Sequence, residues 1–149
     1  MNSVSAVDHS EGDRAAGSIA DAIGAERTVE EVVTETMTAR AVGCGDVAVL
    51  ATPMVLALAE RAAVAALEGW LPPGQTTVGV SVELQHLAPT PVGVPIRATA
   101  SLLSVEARRL VFSFVVVDAA GEVARGTHTR IQVDRARFMA AAQARVESH

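Results

Sequence analysis

The feature that most constrains the fold of this chain is a long apolar run in its centre, TPMVLALAERAAVAALEGW, which begins at Thr52. Thr52 and Pro53 form a strong helix start, because a threonine hydroxyl can cap free amide groups and proline at the first helical position loses no hydrogen bond. Good helix formers then continue to Gly69. The run is interrupted by three charged residues, Glu60, Arg61 and Glu68. A helix that is apolar on nearly all sides must be wrapped by other elements, so we predict a core helix.

Four strands are predicted after this helix, because apolar and polar residues alternate along residues 76–87, 94–102, 110–117 and 122–133. In the first of these strands, five residues share the face that we expect to meet the helix: Val78, Val80, Val82, Leu84 and His86. Before the helix, the run from Thr28 to Ala41 is rich in valine and threonine and predicts one more strand. Residues 135–146 predict a final helix.

This order of elements predicts an α+β chain with the hot-dog fold, in which a curved, five-stranded antiparallel sheet wraps around one long core helix. One such sheet leaves a strand edge and apolar surface exposed, so we expect two copies to pair, as a homodimer or a higher homo-oligomer. The domain is predicted over residues 27–140. Residues 1–26 are predicted to be a flexible leader with at most a short helix near residues 19–23, and residues 141–149 to be a helix end and tail.

Composition excludes several classes of function. The chain has 149 residues, enough for one domain, with a formal net charge of -5, 3% aromatic residues and no tyrosine. It offers neither the basic groove nor the stacking platform of a nucleic-acid-binding protein. Its one cysteine, Cys44, excludes an internal disulfide and a cysteine-based zinc site. The sequence contains no recognisable signal peptide and no long apolar membrane span, so we expect a cytoplasmic protein.

Three side chains combine into a candidate hydrolytic site. Glu60 is a carboxylate within an apolar helix, and its burial is unfavourable unless it is paired. The alternatives are a solvent-facing end of the helix or a structural ion pair. His86 is expected to face the helix, where it either fills the core or, opposite a carboxylate, acts as a general base near neutral pH. Thr52 is predicted to cap the helix, and a helix amino terminus also stabilises developing negative charge.

Other residues are weaker candidates. Cys44 lies between two glycines, and nothing near it in the sequence would activate its thiol. Gly79 interrupts a good strand and marks either a bulge or a close approach of a ligand to the backbone. His128 and Arg130 share one face of the last strand, which we expect to meet solvent or a second copy. The sequence has no GxSxG, P-loop or dinucleotide-binding motif.

Three segments together resemble the fluoroacetyl-CoA thioesterase type of the hot-dog thioesterases: ATPMVLALAERAA, TVGVSVELQHLAPTPVG and LLSVEARRLVFSFVVVDAAGEVARGTHTR. The resemblance covers roughly residues 28–138. Its specific parts include the interval of eight residues from Thr52 to Glu60 and the interval of 26 from Glu60 to His86. An Ala-Pro-x-Pro-x-Gly turn follows His86, and Gly-Thr-His-x-Arg lies near the end. Spacing that is kept across several elements is a stronger signal than any single motif.

The resemblance implies that Thr52, Glu60 and His86 are catalytic, that Gly79 lies near the thioester carbonyl and that Arg130 supports the site. It implies cleavage of acyl-CoA to a carboxylic acid and free CoA without a metal or a further cofactor. In these roles the helix amino terminus and a backbone amide would polarise the carbonyl. Glu60 would act as nucleophile or base, and His86 would activate water or protonate the leaving thiolate. Which of the two acts first stays open.

The chain departs from this family in the segment before Thr52. The fluoroacetyl-specific enzyme carries phenylalanines there, whereas this chain has GCGDVA at residues 43–48. Selectivity for fluoroacetate is therefore not expected, and the more open site predicts a larger acyl group. Two other classes stay open, a hot-dog hydratase or isomerase acting on enoyl thioesters and a non-catalytic acyl-CoA-binding module. The sequence also leaves open whether the acyl carrier is CoA or acyl carrier protein.

Overall fold

The computed structural model describes residues 17–149, so most of the predicted leader, residues 1–16, lies outside the described residues. The strands are β1 Glu26–Val32, β2 Gln75–His86, β3 Pro95–Glu106, β4 Arg109–Asp118 and β5 Gly121–Asp134. The α-helices are α1 Ala39–Val42, α2 Thr52–Ala66 and α3 Arg135–Glu147, and short 3-10 helices cover Ile19–Ala22 and Glu35–Met37. The four strands predicted after the core helix and the final helix are confirmed.

The five strands form one antiparallel sheet in the order β1-β3-β4-β5-β2. Consecutive strands β3, β4 and β5 are joined by short turns, whereas β2 lies outside β5 and forms one edge of the sheet. One face of β3 and β4 supplies the core, as their alternation predicts. The buried residues on this face are Ile96, Ala98, Ala100, Leu102, Leu110, Phe112, Phe114 and Val116.

Helix α2 packs mainly across β3 and β1, and less closely against β2 and β4. Small side chains dominate its sheet-facing side and let the helix backbone approach the strands. The buried residues of this side are Val55, Leu58, Ala59, Ala62, Ala63 and Ala66. The opposite side is open, and Val64 is 49% exposed there. The sheet therefore covers one side of α2, as expected for a core helix, while the opposite side is open in the single chain.

Helix α2 begins at Thr52, but Thr52 is not its cap. Ala51 occupies the N-cap position with extended backbone angles, and no side chain caps the helix there. Pro53 lies in the first turn, as predicted. The chain thus enters the helix one residue earlier than the capping role of Thr52 requires, so that prediction is wrong. The hydroxyl of Thr52 is left to bond elsewhere.

The strand predicted from Thr28 to Ala41 is wrong in its second half. β1 ends at Val32, and a 3-10 turn and α1 follow. Thr38 caps α1, because its hydroxyl oxygen accepts a hydrogen bond from the Ala41 amide at 3.1 Å. The strand preference of valine and threonine is context-dependent, and local side-chain-to-backbone bonds such as this one compete with strand pairing.

A bulge in β2 changes which of its residues face the core. The register of β2 against β5 shifts just after Gly79, which leaves Val80 as an extra residue. An extra residue reverses the alternation of faces, so Thr77 is buried while Val80 is 52% exposed. The predicted inward face is therefore right for His86, which lies beyond the bulge, and wrong for Val78 and Val80.

The two ends of the described chain differ in how they pack. The short helix expected near residues 19–23 is present as Ile19–Ala22, and Ala22 is 1% exposed. The amide of Gly24 donates to the carbonyl oxygen of Leu102 at 2.9 Å, so packed structure begins before residue 26. No residue of α3 is buried. In the part of the chain from residue 17 onward, no helix is both long and apolar enough to cross a membrane.

Candidate active site

The amino terminus of α2 meets the end of β2 in a contact between Thr52 and His86. The Thr52 hydroxyl oxygen Oγ1 lies 2.8 Å from Nδ1 of His86. Because this hydroxyl does not cap the helix, its proton is available to the imidazole. Oγ1 also lies in the first turn of α2, where the helix dipole favours negative charge. The pair has the arrangement of an alcohol bonded to a base.

The second ring nitrogen of His86 is buried without a partner. Among the side chains of residues 17–149, Nε2 of His86 is the one buried nitrogen or oxygen atom that makes no hydrogen bond. Such a group is unfavourable in a folded protein and calls for an explanation. When Thr52 donates to Nδ1, the neutral imidazole carries its proton on Nε2. Nε2 of His86 is then a buried proton donor that has no acceptor in the single chain.

Glu60 lies two turns further along α2 and is bound by Arg130 of β5. The Nη1 atom of Arg130 donates to Oε2 of Glu60 at 2.9 Å. The Glu60 side chain is 39% exposed, whereas that of Arg130 is 8% exposed. The carboxylate is therefore held by a buried cation and remains open to solvent on its other side. The ion pair that was one alternative for Glu60 is present, and it leaves the carboxylate accessible to a substrate.

Arg130 is fixed by three further hydrogen bonds. Its Nε donates to the hydroxyl of Thr77 at 2.9 Å and its Nη2 to the carbonyl oxygen of Thr77 at 3.1 Å. Its Nη1 also lies 3.1 Å from Nε2 of His128. Arg130 and His128 are buried on the inner face of β5, so the expectation that they face solvent or a second copy is wrong. The position of Arg130 is compatible with the supporting role that the family resemblance implies.

His128 is neutral because of the partners of its two ring nitrogens. Nδ1 lies 2.9 Å from the carbonyl oxygen of Ser81, which can only accept, so Nδ1 carries the proton. Arg130 can only donate, so Nε2 accepts. Burial has the largest effect and lowers the pKa of His128. The hydrogen bond to Ser81 opposes it in part, and the smaller effects of Arg130 and Glu60 lower and raise the pKa, respectively. Nε2 lies 3.7 Å from Oε2 of Glu60, but the neutral imidazole forms no ion pair with this carboxylate near neutral pH.

Gly79 lies directly against this group of polar side chains. A Cβ atom at this position would lie 2.6 Å from Oε2 of Glu60, 3.1 Å from Cε1 of His128 and 3.3 Å from Nη1 of Arg130. The first distance is shorter than a real Cβ contact, so a side chain at this position would force the Glu60 carboxylate to move. Of the two alternatives for Gly79, the bulge is present, and the approach of a ligand to its backbone stays a prediction. The group that lies against Gly79 in the single chain is the Glu60 carboxylate.

An open pocket of about 190 Å³ lies beside Glu60. Its walls come from α2, from the bulge of β2 and from β5. It is lined by Leu56, Glu60, Gly79, Val80, Ser81, Val82 and His128. Apart from the acid, the imidazole and one hydroxyl, these side chains are aliphatic or absent. The pocket combines a carboxylate with an apolar wall, which suits the reacting end of an acyl group.

Thr52 and Glu60 do not meet within one chain. Eight residues separate them on α2, which is about 12 Å along the helix axis, and their side chains point about 80° apart. Glu60 contacts β2 at Gly79, whereas Thr52 contacts the far end of the strand at His86. The three residues predicted to act together therefore belong to two separate pairs in the single chain, Thr52 with His86 and Glu60 with Arg130.

Sequence reasoning missed Thr77 and His128 as members of this group. His128 lies two residues before Arg130 on the same strand, so the two share a face, and this spacing was a usable signal. Thr77 was not found because the bulge reverses the alternation of faces in β2.

Cys44 is exposed, and its thiol lies 3.9 Å from the carbonyl oxygen of Ala39. Within residues 17–149, no three His, Cys, Asp or Glu side chains are arranged to hold a metal ion.

A family model described as fluoroacetyl-CoA-specific thioesterase, FlK, matches residues 33–136. The match includes both residue pairs, the bulge in β2 and the strands that carry them. The chain belongs to this family. The resemblance proposed from the sequence and the hot-dog fold are confirmed.

Individual relatives agree with this assignment. The fluoroacetyl-CoA thioesterase of Streptantibioticus cattleyicolor is 37% identical over 92 residues, which are 62% of this chain and 66% of that protein. A structure of the fluoroacetyl-CoA thioesterase FlK matches with a TM-score of 0.78 and 31% identity, over 82% of this chain and 95% of the other. A thioesterase superfamily member from Thermus thermophilus also has a TM-score of 0.78, with 26% identity over 85% of this chain and 96% of its own. One structure of an FlK variant contains fluoroacetate and CoA.

Proposed function

We propose that this member of the family is an acyl-CoA thioesterase, which hydrolyses acyl-CoA to a carboxylic acid and free CoA. The observation that carries the proposal is the contact of Thr52 with His86 at the amino terminus of α2, with Nε2 of the same imidazole buried and unpaired. A hydroxyl, an imidazole and a helix dipole in this arrangement suit acyl transfer. The names of the relatives support the same class of reaction.

In the proposed reaction, the oxygen of water forms a bond to the thioester carbonyl carbon and the carbon-sulfur bond breaks. In one route Glu60 takes a proton from the attacking water. In the other, its carboxylate bonds to the carbonyl carbon as the carbon-sulfur bond breaks, and water then hydrolyses the resulting anhydride to release the carboxylic acid and free Glu60. His86 donates its Nε2 proton to the leaving thiolate. The first turn of α2 stabilises the negative charge that develops on the carbonyl oxygen, while the Thr52 hydroxyl donates to Nδ1 of His86 and keeps the imidazole proton on Nε2. Gly79 lets the carbonyl reach the carboxylate, because it has no side chain.

The complete site is proposed to form between two copies of the chain, since Glu60 and Thr52 lie about 12 Å apart along α2. Antiparallel pairing of two β2 edges places the two strands in opposite directions. A pairing centred midway between Gly79 and His86 would bring the His86 end of one strand to the Gly79 region of the second copy. Each site would combine Thr52 and His86 from one copy with Glu60 from the other.

Exposed apolar surface supports this pairing. β2 has 12 residues, and no strand within residues 17–149 pairs with its outer edge. Val80 and Val82 on β2 are 52% and 37% exposed. Val64 on the open side of α2 is 49% exposed. A long unpaired edge with apolar side chains is a liability that pairing removes. A homodimer is therefore part of the proposed function.

The substrate is proposed to carry an acyl group larger than fluoroacetyl. The segment at residues 43–48 contains no phenylalanine and is exposed throughout, so no aromatic side chain of this segment closes the site. A cytoplasmic location is part of the proposal, because acyl-CoA is an intracellular substrate. The proposal includes no metal and no cofactor besides the CoA of the substrate.

The test is release of free thiol from a panel of acyl-CoAs of increasing chain length, together with the matching acyl-pantetheine thioesters. We expect release from acyl-CoA, with faster turnover for acyl groups longer than acetyl. A steady decline from acetyl-CoA to longer chains would contradict the larger acyl group. If no thiol is released, loss of the ultraviolet band of an enoyl-CoA would identify a hydratase, and binding without any reaction would identify a binding module.

A further inference from the structure

We propose that His128 is a positioning residue of this site, which holds the bulge of β2 through Nδ1 and aims the guanidinium of Arg130 at Glu60 through Nε2. The inference rests on the proposed function for its catalytic meaning. The two contacts that it invokes are properties of the fold and can be tested without a substrate. In the sequence, His128 belongs to the Gly-Thr-His-x-Arg motif and shares a face with Arg130, whereas its contact with Ser81 is found only in the structure.

The first contact fixes the pocket wall. The N–H at Nδ1 donates to the carbonyl oxygen of Ser81 at 2.9 Å, across 47 residues of sequence. Ser81 follows the extra residue of the bulge, and both residues line the pocket beside Glu60. A bulge interrupts the regular pairing of a strand, so its backbone has fewer fixed partners than its neighbours. The imidazole supplies one from the facing strand and thereby sets the shape of the wall.

The second contact sets the direction of a hydrogen bond. Nη1 of Arg130 carries two N–H groups. One donates to Nε2 of His128 at 3.1 Å, which leaves the other to donate to Oε2 of Glu60 at 2.9 Å. Without an acceptor at Nε2, the guanidinium would keep its bonds to Thr77 but lose the one that fixes Nη1 relative to the carboxylate. The imidazole therefore acts on Glu60 through Arg130.

Both contacts require one protonation state and a rigid ring. Nδ1 must carry the proton and Nε2 must be free to accept, as its burial among these partners favours. The side chain is 3% exposed, and its ring packs on Phe112 with the ring centres 6.4 Å apart. A residue that is buried, neutral and bonded at both nitrogens holds its neighbours in one geometry.

Two substitutions separate the two contacts. His128→Asn keeps an N–H near the position of Nδ1 and removes the acceptor at Nε2. His128→Gln keeps an acceptor near the position of Nε2 and removes the donor to Ser81. Phe112→Leu is the matched control, because it disturbs the packing of the imidazole but leaves its hydrogen-bonding atoms in place. Each protein is assayed with the acyl-CoA that the parent hydrolyses fastest, and its melting temperature is measured.

We expect His128→Asn to lower kcat by about ten- to a hundredfold with little change in KM, because misdirection of a catalytic group acts on the chemical step. His128→Gln should instead raise KM about tenfold with a smaller loss of kcat, because the pocket wall is released. Phe112→Leu should lower the melting temperature, but it should not change kcat alone or KM alone as the two His128 variants do. Parallel losses in all three variants, or unchanged kinetics in both His128 variants, would overturn the inference.

Hydrogen exchange of the peptide that covers residues 78–83 gives a readout without substrate. We expect His128→Gln to speed exchange of this peptide, while His128→Asn leaves it near the parent rate. Equal exchange rates in the two variants would show that the hydrogen bond from His128 to Ser81 does not hold the bulge of β2. A parent protein that hydrolyses no thioester would end the proposed function, and the exchange result would then still decide whether His128 holds the bulge.

Discussion

The hydroxyl oxygen of Thr52 lies 2.8 Å from Nδ1 of His86, and this contact replaces the helix cap that the sequence suggests. Thr52→Ala should therefore lower turnover by about a hundredfold. It should change the free energy of unfolding by only about 0.5 kcal/mol, because the side chain is exposed and caps nothing. Thr52→Ser keeps the hydroxyl and should retain most activity. CoA release and urea denaturation measure the two quantities.

A different outcome for Thr52→Ala would count against this role. Loss of about 1 kcal/mol of stability with normal turnover is what removal of a cap produces. That result would return the side chain to a structural role.

Substitution of Glu60 by glutamine tests the carboxylate. Glu60→Gln keeps an oxygen that can accept from Arg130, so the fold should persist, whereas turnover should fall at least about a hundredfold because the base or nucleophile is lost. Glu68→Gln is the matched control, since Glu68 follows the same helix and its side chain is 66% exposed. Near-normal turnover of Glu60→Gln would reject the proposed mechanism. His86→Ala should show a loss as large as that of Glu60→Gln.

A methyl group at Gly79 should displace the Glu60 carboxylate, because the added Cβ would lie 2.6 Å from Oε2. Gly79→Ala is therefore expected to reduce kcat by about a hundredfold. Gly45→Ala is the control, because its Cβ would meet only the Ala39 side chain at 3.4 Å. A steady-state comparison of the two variants is sufficient. Equal activity of the Gly79→Ala and Gly45→Ala variants would show that catalysis does not depend on the present position of the Glu60 carboxylate.

Because the pKa of His128 is lowered in the folded protein, the free energy of unfolding depends on pH. Below the ordinary histidine pKa of 6.5, the unfolded chain takes up a proton that the folded chain does not, so the free energy of unfolding falls as pH falls. The loss begins near 6.5 and levels off below the lowered pKa of the folded state. Denaturation of the parent and of His128→Gln between pH 7.5 and 5.5 should show a smaller loss in the variant. His149→Gln, at the exposed chain end, should behave like the parent.

Periodicity predicted most of the fold because the core strands obey it. The alternation along β3 and β4 placed Phe112 and Phe114 on the buried face, where both lie. It failed in β2, since a single extra residue at Val80 reverses the faces, and Gly79 indicated a bulge only as one of two alternatives. It also failed between Val32 and Ala41, where the Thr38 hydroxyl bonds to nearby backbone.

The candidate site could be predicted only in part. Spacing identified Thr52, Glu60 and His86, but not that two turns of helix keep Glu60 away from the other two within one chain. Periodicity in a single sequence also could not show that His128 and Arg130 lie on the buried face of β5. The sheet order that puts β2 beside β5 is a long-range property. The protonation of His128 follows from partners 2 and 47 residues away in the sequence.

The edge of β2 provides the test of a shared site. Val80→Lys places a charge on this unpaired edge, and should convert a dimer into monomers. Turnover should fall with it, because each Thr52–His86 pair would lose the Glu60 of the second copy. Leu103→Lys is the matched control, since Leu103 is also 52% exposed but lies on β3, inside the sheet order. Sedimentation velocity and CoA release over a range of protein concentrations measure both effects. A Val80→Lys monomer with full activity would show that one chain is sufficient for catalysis, and a parent that is itself monomeric and active would lead to the same conclusion.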